Sequence, residues 1–335
     1  MPKLREIPVD DFIGLTLHIF VIGYPVEGES ILGMFKDREK TLFTFLIDSY
    51  INEYDWYSHV DNLLNQENAD GVDMFIWTHP DTDHSLDIPR LLDTYDKKRK
   101  AQVYLPDIEH LKDVSPVINA TRSYLYNRYS NKGSQKYQVS VVSVDQDEEA
   151  KTLFTLRFKN KGQGILPDIV CKFCFLSPIS QFVDRGKHFD MQTGYNTFSV
   201  VLALNVNGRN LLFCGDLEDK SARLIDEGFL HNVVYLKIPH HTSLTTKDFF
   251  RRMLSIPNSD VVATTTVFRK KNLPNIKLLK SYEKICKELY CTGSKQGEKY
   301  GCIETIFNLL DMSSASNMEG SGELVYNKAY AVSKI

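Results

Sequence analysis

The chain has 335 residues, of which 42% are hydrophobic and 25% are charged, and this length fits one large α/β domain or two small ones. Its 19 Phe, 17 Tyr and 2 Trp residues supply enough bulky side chains for a large core, which excludes a wholly disordered chain. The formal net charge of −3 excludes a strong overall basic field for nucleic acid, although a local basic patch is compatible with it.

The first third of the chain alternates strand-like and helix-like segments. Strands are predicted for four apolar runs, at residues 15–22, 41–48, 72–77 and 102–105. Apolar residues at helical spacing predict two helices, at 52–68 and 86–95. A polar loop at 78–84 joins the third strand to the second helix. This order of strand, loop, helix and strand indicates an α/β layer.

The middle of the chain has a different pattern. A polar insertion at about 107–137 is compatible with a lid, with a groove wall or with an ordinary amphipathic helix. Strand-like runs then follow in series, at 137–144, 152–159, 168–176, 197–205 and 210–214. Helices and strands alternate again from 218 to 289, and strand-like runs at 302–308 and 324–332 close the chain. Because no internal repeat or long low-complexity linker is present, we expect a single domain over residues 1–335.

The cysteine pattern gives little support for a metal site. The chain has six cysteines at irregular spacing, and its one C-x-x-C, Cys171 and Cys174, lies in a strand-like apolar run. No second C-x-x-C or nearby histidine completes a zinc site, so buried thiols are favoured over a redox or metal role. A reducing compartment is therefore expected.

Four side chains of the kinds that bind metals fall in one short loop, at His79, Asp81, Asp83 and His84, directly after an apolar strand. A loop that begins at a rigid strand can direct alternate side chains at one point. Imidazoles together with carboxylates suit divalent cations such as Zn²⁺, Mn²⁺ or Fe²⁺. The alternative is a polar surface loop with two solvated acids, but its charges would repel without a cation. The pattern favours a metal site.

Two later segments also place polar residues at the ends of predicted strands. Asp216 follows Gly215 after the apolar run 211–214, although a Gly-Asp pair alone is a common turn. His240 and His241 are adjacent after the run 233–238, where paired imidazoles favour at least one metal ligand. Because sites on α/β sheets collect at the carboxyl ends of strands, we expect these residues to lie near the 79–84 loop.

The H-P-D-T-D-H loop at residues 79–84 resembles the H-x-[HD]-x-D-H signature of the metallo-β-lactamase fold family. Segments 196–202, 211–217 and 236–243 resemble, in order and spacing, further motifs of the hydrolase domain of the competence DNA-uptake protein ComEC and its stand-alone relatives. The resemblance covers about residues 15–310. It implies a four-layer αββα sandwich of the α/β class with a mono- or dinuclear metal site.

The resemblance also implies which residues hold the metal. The implied ligands are His79, Asp81, Asp83, His84, Asp216, His240 and His241. The first two would hold one ion, the next two the second ion, and Asp216 would bridge them. The sequence does not decide between His240 and His241. Water bound between the ions would attack a phosphorus or carbonyl centre, and Asp83 is implied to orient that water or to carry its proton.

Three residues are expected beside the ligands without binding metal, namely Asp48, Thr78 and Asn196. Asp48 resembles the aspartate of the family's first motif, which braces the metal loop. The remaining histidines are expected outside the site. His18 is expected in a strand, and His59, His110 and His231 are expected in solvent.

The chain departs from the family pattern in four places. Ser85-Leu86-Asp87 stands where relatives have Ile-Gly-Gly, Thr242 replaces a glycine after the histidine pair, and Leu273 replaces a histidine of a late loop. The family's third-motif histidine has no clear counterpart, and the nearest residue, His188, is better explained as a surface residue. The absence of two expected groups, the third-motif histidine and the late-loop histidine, predicts weaker binding of the second metal ion.

Three functions are compatible with these features. The first is a metal-dependent phosphodiesterase acting on nucleic acid, the second is a metallohydrolase acting on a small molecule such as a cyclic nucleotide, phosphate ester or lactone, and the third is a regulatory module with a degraded site. The resemblance favours the first function, the near-neutral charge favours the second, and the intact 79–84 loop argues against the third.

We therefore expect a hydrolase that uses one or two divalent ions, Zn²⁺ or Mn²⁺, and acts on nucleic acid or another phosphodiester. Candidate substrate contacts are Lys237, Arg269, Lys270 and Lys271, with a solvated basic face as the alternative.

The N-terminal residues lack the apolar core of a signal peptide, and no apolar run approaches the ~20 residues of a membrane span. A cytoplasmic location without a membrane is expected.

Overall fold

The computed structural model of the protein describes residues 2–329 except 55, 68, 70, 99, 109–110, 112–113, 130–138, 146–147, 162–166, 181–194, 259, 294 and 296. Within these residues the strands form two sheets. The first sheet contains, in spatial order, β1 (Lys3–Val9), β8 (Lys151–Asn160), β9 (Ile169–Ser177), β10 (Val201–Val206), β11 (Arg209–Phe213), β12 (Val233–Lys237), β13 (Val261–Thr265), β14 (Cys286–Cys291) and β17 (Glu323–Asn327). The second contains β16 (Ser314–Gly320), β15 (Gly301–Asn308), β2 (Leu15–Gly23), β3 (Glu29–Asp37), β4 (Lys40–Ile47), β5 (Met74–Ile76), β6 (Gln102–Pro106) and β7 (Val139–Val142).

The two sheets pack face to face over an apolar core. Alternate residues of β4 point to opposite sides of its sheet, so Phe43 and Phe45 enter this core while Leu46 faces outward. The ring of Phe45 lies 5.6 Å from the ring of Phe173 and 6.0 Å from that of Phe213, both of which belong to the other sheet. These contacts join the two sheets into one sandwich.

Helices cover both outer faces of the sandwich. Over the second sheet lie α1 (His59–Gln66), α2 (Ile88–Tyr95) and α3 (Pro116–Tyr129), and over the first lie α4 (Asp219–Ala222), α5 (Lys247–Ser255) and α6 (Ile276–Tyr282). Each outer layer has its own apolar core; Val60, Leu63 and Leu64 of α1, for example, are buried at the spacing of one helix face. The layer order confirms the predicted four-layer αββα sandwich of the α/β class.

Strands β1, β3 and β16 were missed by the sequence patterns, and β16 is exposed along most of its length and carries no apolar run. β1 is largely exposed and pairs with β8 at the edge of the first sheet, so it carries no apolar run. β3 is buried on both faces over nearly its whole length, so its side chains show no alternation of polar and apolar residues. The described part of the 107–137 insertion contains α3, which packs into an outer layer as an amphipathic helix.

All six cysteines are free and buried, as expected. Cys171 and Cys174 face different cores on opposite sides of β9, which separates their thiols. No helix among the described residues is long and apolar enough to cross a membrane.

The connections between strands bring two sets of strand ends to one edge of the sandwich. Strands β4 to β7 run parallel in the second sheet, and β11 to β14 run parallel in the first. The candidate ligands follow the carboxyl ends of β5, β11 and β12, while Asp48 follows β4. Residues from both sheets therefore meet at this edge.

Candidate metal centre

The 79–84 loop is held rigidly after the short buried strand β5. Residues Thr82–His84 form one turn of 3-10 helix, and the Asp81 side chain caps it by accepting the N–H of Thr82 at 2.7 Å. His79, Asp83 and His84 are buried, whereas Asp81 is half-buried. The loop therefore directs one acid and two imidazoles into the protein.

Asp216 lies between two pairs of histidines. Its Oδ2 atom is 3.8 Å from Nε2 of His79 and 3.6 Å from Nε2 of His240. Its Oδ1 atom is 3.5 Å from Nε2 of His84 and 3.6 Å from Nε2 of His241. Both histidines of the adjacent pair thus point at this carboxylate, each toward a different oxygen.

Asp83 lies beside the pair formed by His84 and His241. Its Oδ2 atom lies 3.4 Å from Nε2 of His84 and 3.5 Å from Nε2 of His241. One possible ligand atom from each of these three residues falls within 4.8 Å of the other two. A single ion can therefore be contacted by all three side chains together with Oδ1 of Asp216.

The hydrogen bonding of the candidate ligand atoms shows whether a metal fits among them. Five of them are buried and make no hydrogen bond to any described residue: His79 Nε2, Asp83 Oδ2, His84 Nε2, Asp216 Oδ1 and His241 Nε2. Buried polar atoms are normally paired, because an unpaired one costs about 1–3 kcal/mol. Imidazole nitrogens and carboxylate oxygens converging at one place are the donors that borderline divalent ions take. The donor set fits a divalent metal.

Asp48 and Thr78 orient two of the imidazoles from behind. The Asp48 carboxylate accepts the N–H of Thr78 at 2.7 Å, the hydroxyl of Thr78 at 2.5 Å and Nδ1 of His84 at 2.7 Å. Because the Thr78 hydroxyl donates to Asp48, its oxygen accepts Nδ1–H of His79, at 2.9 Å. In both histidines a proton is held on Nδ1, so the Nε2 atom faces the centre.

The approach of Asp216 depends on a glycine. Gly215 has φ of +47°, and a Cβ at this position would lie 3.1 Å from Cβ of Thr78. Glycine adopts this left-handed conformation without steric cost and leaves room for the neighbouring loop. The Gly-Asp turn that was weak evidence in the sequence thus has a specific role in bringing two metal-site loops together.

The histidine pair lies on a strained segment. His240, His241 and Thr242 have φ values of 46°, 48° and 62°, all in the left-handed region that non-glycine residues rarely adopt. The Thr242 hydroxyl lies 2.7 Å from that of Thr265, and the Thr242 carbonyl accepts the N–H of Asn275. These contacts hold a threonine where the related motif has glycine.

The electrostatics of the centre follow from burial and close opposite charges. Burial opposes ionisation of Asp216, but the imidazoles around it hold its pKa below the usual range. Burial also opposes ionisation of Asp83, but the nearby imidazoles, of which His84 contributes most, lower its pKa. Burial, assisted by repulsion from His84, lowers the pKa of His79 to about 3. These carboxylates and His79 thus have the protonation states that a metal requires. Burial opposes protonation of His84, but the carboxylates of Asp83, Asp216 and Asp48 raise its pKa, so a metal would have to displace its Nε2 proton.

A cavity of about 560 Å³ opens beside the centre. Asp81, Asn196 and His240 are among the residues of its wall, and Lys270 and Lys271 are exposed at its rim. Asn196 Nδ2 lies 3.4 Å from Nε2 of His240, a candidate ligand. This cavity gives a substrate access to the centre.

The substrate contacts predicted from the sequence are only partly supported. Lys237 is fully buried and forms an ion pair of 2.7 Å with Glu29, so the prediction that it contacts substrate is wrong. Burial opposes ionisation of Glu29, but Lys237 holds the pKa of that carboxyl below its usual range. Lys270 is ion-paired with Glu27, and the backbone N–H of Arg269 donates to the carbonyl of Val26.

Sequence reasoning missed several residues around His240 and His241. Nδ1 of His241 bonds the hydroxyl of Thr266 at 2.7 Å, and Nδ1 of His240 lies 3.0 Å from Thr245 Oγ1 and 3.4 Å from Glu218 Oε1. None of these partners belongs to a motif, and no sequence signal singled them out.

The histidines expected outside the site have mixed outcomes. His18 pairs with Glu304 on β15, and His231 is half-exposed. The expectation that His59 is solvated is wrong, since it is buried with its ring stacked on Tyr300 at a centroid distance of 3.7 Å. His110 and His188 lie outside the described residues. Among the described histidines, two face Oδ2 of Asp216, namely His79 and His240.

Comparisons with known proteins extend no further than the fold. No family model and no curated protein matches the chain. The metallo-β-lactamase fold protein YhfI from Bacillus subtilis is similar with 12% identity over 82% of this chain and 95% of that chain, at a TM-score of 0.39. A diphosphatase of the PhnP family has 12% identity over 83% of this chain and 85% of that chain, at a TM-score of 0.35. A metallo-β-lactamase from Cronobacter sakazakii has 11% identity over 73% of this chain and 76% of that chain, at a TM-score of 0.31. The αββα layer order described above is that of the metallo-β-lactamase fold.

Proposed function

We propose that the protein is a metal-dependent hydrolase that cleaves phosphodiesters. The observation that carries this proposal is the position of Asp216, whose two carboxylate oxygens each face a separate pair of imidazoles. Two groups of donors on either side of one carboxylate are the arrangement expected of a dinuclear hydrolytic centre.

The chain offers a distinct set of ligands for each ion. His79, His240 and Oδ2 of Asp216 would hold one ion, with half-buried Asp81 nearby in the cavity wall. Asp83, His84, His241 and Oδ1 of Asp216 would hold the other. When bound, such ions supply a hydroxide-like water at neutral pH and polarise the phosphoryl oxygens.

The protein side chains would then bind and orient the substrate. The ammonium group of Lys271 at the cavity rim is placed to neutralise charge on a phosphate. Asp83 lies on both the cavity wall and the metal cluster, so its carboxylate is the group placed to receive a proton from the attacking water. The buried floor excludes bulk water from the ligands, which strengthens these electrostatic contacts.

A specific feature also supports a small phosphodiester as the substrate, alongside nucleic acid. The described lining of the cavity carries four carboxylates, Glu27, Asp81, Asp83 and Asp216, against two lysines. One of these lysines, Lys270, is already paired with Glu27. A nucleic-acid backbone normally requires a longer cationic track, whereas a single phosphodiester needs one contact and the metals.

The deciding experiment measures hydrolysis of bis(p-nitrophenyl) phosphate, cyclic dinucleotides, and labelled single- and double-stranded DNA and RNA, each with Mn²⁺, Zn²⁺ or EDTA. Wild type is compared with D216N and with the exposed-acid control D10N. We expect metal-dependent cleavage that D10N retains and D216N loses. Cleavage of polymers selects the nuclease, whereas cleavage of small diesters alone selects the second substrate class. Absence of cleavage of every diester with both metals bound would refute the proposal.

A further inference from the structure

Glu29 and Lys237 form an ion pair deep inside the sandwich. Both side chains are fully buried, and Lys237 Nζ lies 2.7 Å from Glu29 Oε2. Glu29 begins β3 in the second sheet and Lys237 ends β12 in the first, so the pair joins the two sheets at the edge where the metal centre lies. Burying two charges costs free energy that an apolar pair would not cost, which makes a structural explanation alone weak.

The carboxylate of this pair is connected to a candidate ligand. The hydroxyl of Thr266 donates to Glu29 Oε2 at 2.5 Å. Since the hydroxyl hydrogen is used in that bond, the oxygen of Thr266 accepts Nδ1–H of His241 at 2.7 Å. The proton of the imidazole is thereby held on Nδ1, and the unpaired Nε2 atom faces Asp83 and Asp216.

The same relay of hydrogen bonds, from a carboxylate through a threonine hydroxyl to a histidine, occurs on the other side of the centre. Asp48 accepts the hydroxyl of Thr78, which in turn accepts Nδ1–H of His79. In each case a buried carboxylate acts on a histidine through one threonine hydroxyl. The histidines of the two relays follow strands of opposite sheets, β5 and β12, and present two Nε2 atoms to the same Asp216 carboxylate.

His240 is held by more exposed partners. Its Nδ1 atom lies 3.0 Å from the hydroxyl of Thr245, which itself donates to Ser243, and 3.4 Å from Oε1 of Glu218, whose side chain is 30% exposed. The side chain of His240 is 17% exposed, whereas that of His241 is completely buried. The adjacent histidines are therefore held with unequal rigidity, and each faces a different oxygen of Asp216.

We propose that Glu29, held in place by Lys237, is a positioning residue that acts through Thr266 to fix the orientation and tautomer of His241. The ion position formed by Asp83, His84 and His241 then binds metal more tightly than the position formed by His79 and His240. This inference rests on the proposed metal centre, but the tautomer of His241 is a property of the metal-free protein and can be measured without the metal.

The sharpest variant is T266V, which removes the hydroxyl but keeps the shape of the side chain and leaves the Glu29–Lys237 pair intact. T266S restores a hydroxyl and serves as the rescue. T264V removes the hydroxyl of another fully buried threonine at the end of the same strand and is the matched control. A double variant, Glu29→Met with Lys237→Met, removes the source of the relay without leaving a buried charge unpaired.

The first measurement is long-range ¹H–¹⁵N NMR of histidine in metal-free protein, with H241Q used to assign the signal. We expect the Nδ1-protonated form of His241 in wild type, T264V and T266S, and a shift toward the Nε2-protonated form in T266V and in the double variant. An unchanged tautomer in T266V would overturn the inference, whatever the enzyme does.

The second measurement is titration with Co²⁺, followed by its visible absorption, in competition with a chelator. We expect two classes of site in wild type, with the tighter class weakened about 10–100-fold in T266V and restored in T266S, the usual effect of losing a partner behind a ligand. Wild-type affinities in T266V would overturn the positioning role while leaving the metal centre in place. A wild type that binds no ion would refute the proposed function instead, and the NMR result would still decide the tautomer.

Discussion

His84 Nδ1 lies 2.7 Å from Oδ2 of Asp48, and both side chains are buried at the base of the centre. The same carboxylate oxygen accepts the hydroxyl of Thr78, which bonds His79. One acid therefore sets the orientation of two imidazoles that face opposite oxygens of Asp216.

This relationship predicts that Asp48→Asn weakens metal binding without unfolding the protein. Asp48 has φ of 56°, a conformation that asparagine also tolerates, so the backbone has no reason to change. An amide has one acceptor oxygen instead of two, so His84 or Thr78 loses its partner, and we expect metal affinity to fall by about 10–100-fold. Chelator competition measures the change. The exposed acid variant D311N should keep wild-type affinity, and equal affinity in D48N would contradict the prediction.

The two oxygens of Asp216 predict different stoichiometries for two histidine variants. His240→Ala removes a proposed ligand from the His79 side only, so we expect one tightly held ion per chain to remain. His241→Ala removes a proposed ligand from the buried group with Asp83 and should release the tighter ion. Metal content after dialysis, measured by atomic emission, distinguishes these outcomes. H231A, at a half-exposed histidine, is the control, and identical metal loss in H240A and H241A would refute two separate positions.

The strain at Thr242 predicts an unusual order of stability among its variants. Thr242→Gly relieves a left-handed conformation that costs roughly 1–2 kcal/mol, but it loses the hydrogen bond to Thr265 and loosens the unfolded chain. We therefore expect its free energy of unfolding to stay within about 1 kcal/mol of wild type. Thr242→Val keeps the strain and leaves the Thr265 hydroxyl buried without a partner, so it should lose about 1–3 kcal/mol. Urea unfolding in EDTA measures both. A valine variant as stable as the glycine variant would show that the strain or the hydrogen bond has no energetic weight.

Buried His59 predicts a pH dependence of stability that is separate from the metal centre. Burial lowers the pKa of His59 to about 4 in the folded protein, compared with about 6.5 in the unfolded chain. The unfolded chain therefore binds more protons between these values, and the stability contributed by neutral His59 is lost as the pH falls through this window. We expect wild type to lose more free energy of unfolding than H59Q between pH 7 and pH 5 in EDTA. The half-exposed histidine variant H231Q should follow wild type, and parallel curves for wild type and H59Q would contradict the assignment.

Lys271 at the cavity rim predicts an effect on substrate binding and not on chemistry. Lys271→Ala should raise KM for a phosphodiester about 5-fold with little change in kcat, since an exposed charge contact contributes about 1 kcal/mol. The increase should shrink as salt concentration rises. Steady-state kinetics at two ionic strengths checks this, with exposed Lys98→Ala as the control. A change confined to kcat would place Lys271 elsewhere in the reaction.

The amino-acid sequence by itself was sufficient to predict α/β layering and most of the candidate ligands, while its resemblance to the metallo-β-lactamase fold family implied the four-layer sandwich. The layering and the ligands depend on local information: apolar periodicity gives strands and helices, and ligand-type residues directly after buried strands indicate where a site can form. His79, Asp83, His84 and Asp216 were predicted in this way, and the structure brings them together.

The tertiary structure alone decided the contacts behind those ligands. Glu29 and Lys237 are far apart in the chain and belong to different sheets, so only the stacking of the sheets makes them partners and removes Lys237 from the substrate cavity. The left-handed backbone at His240 and His241 lets the two imidazoles face opposite oxygens of Asp216, a choice that residue type alone leaves open. Ligand identity follows from local chemistry, whereas the partners that orient a ligand depend on how distant segments pack.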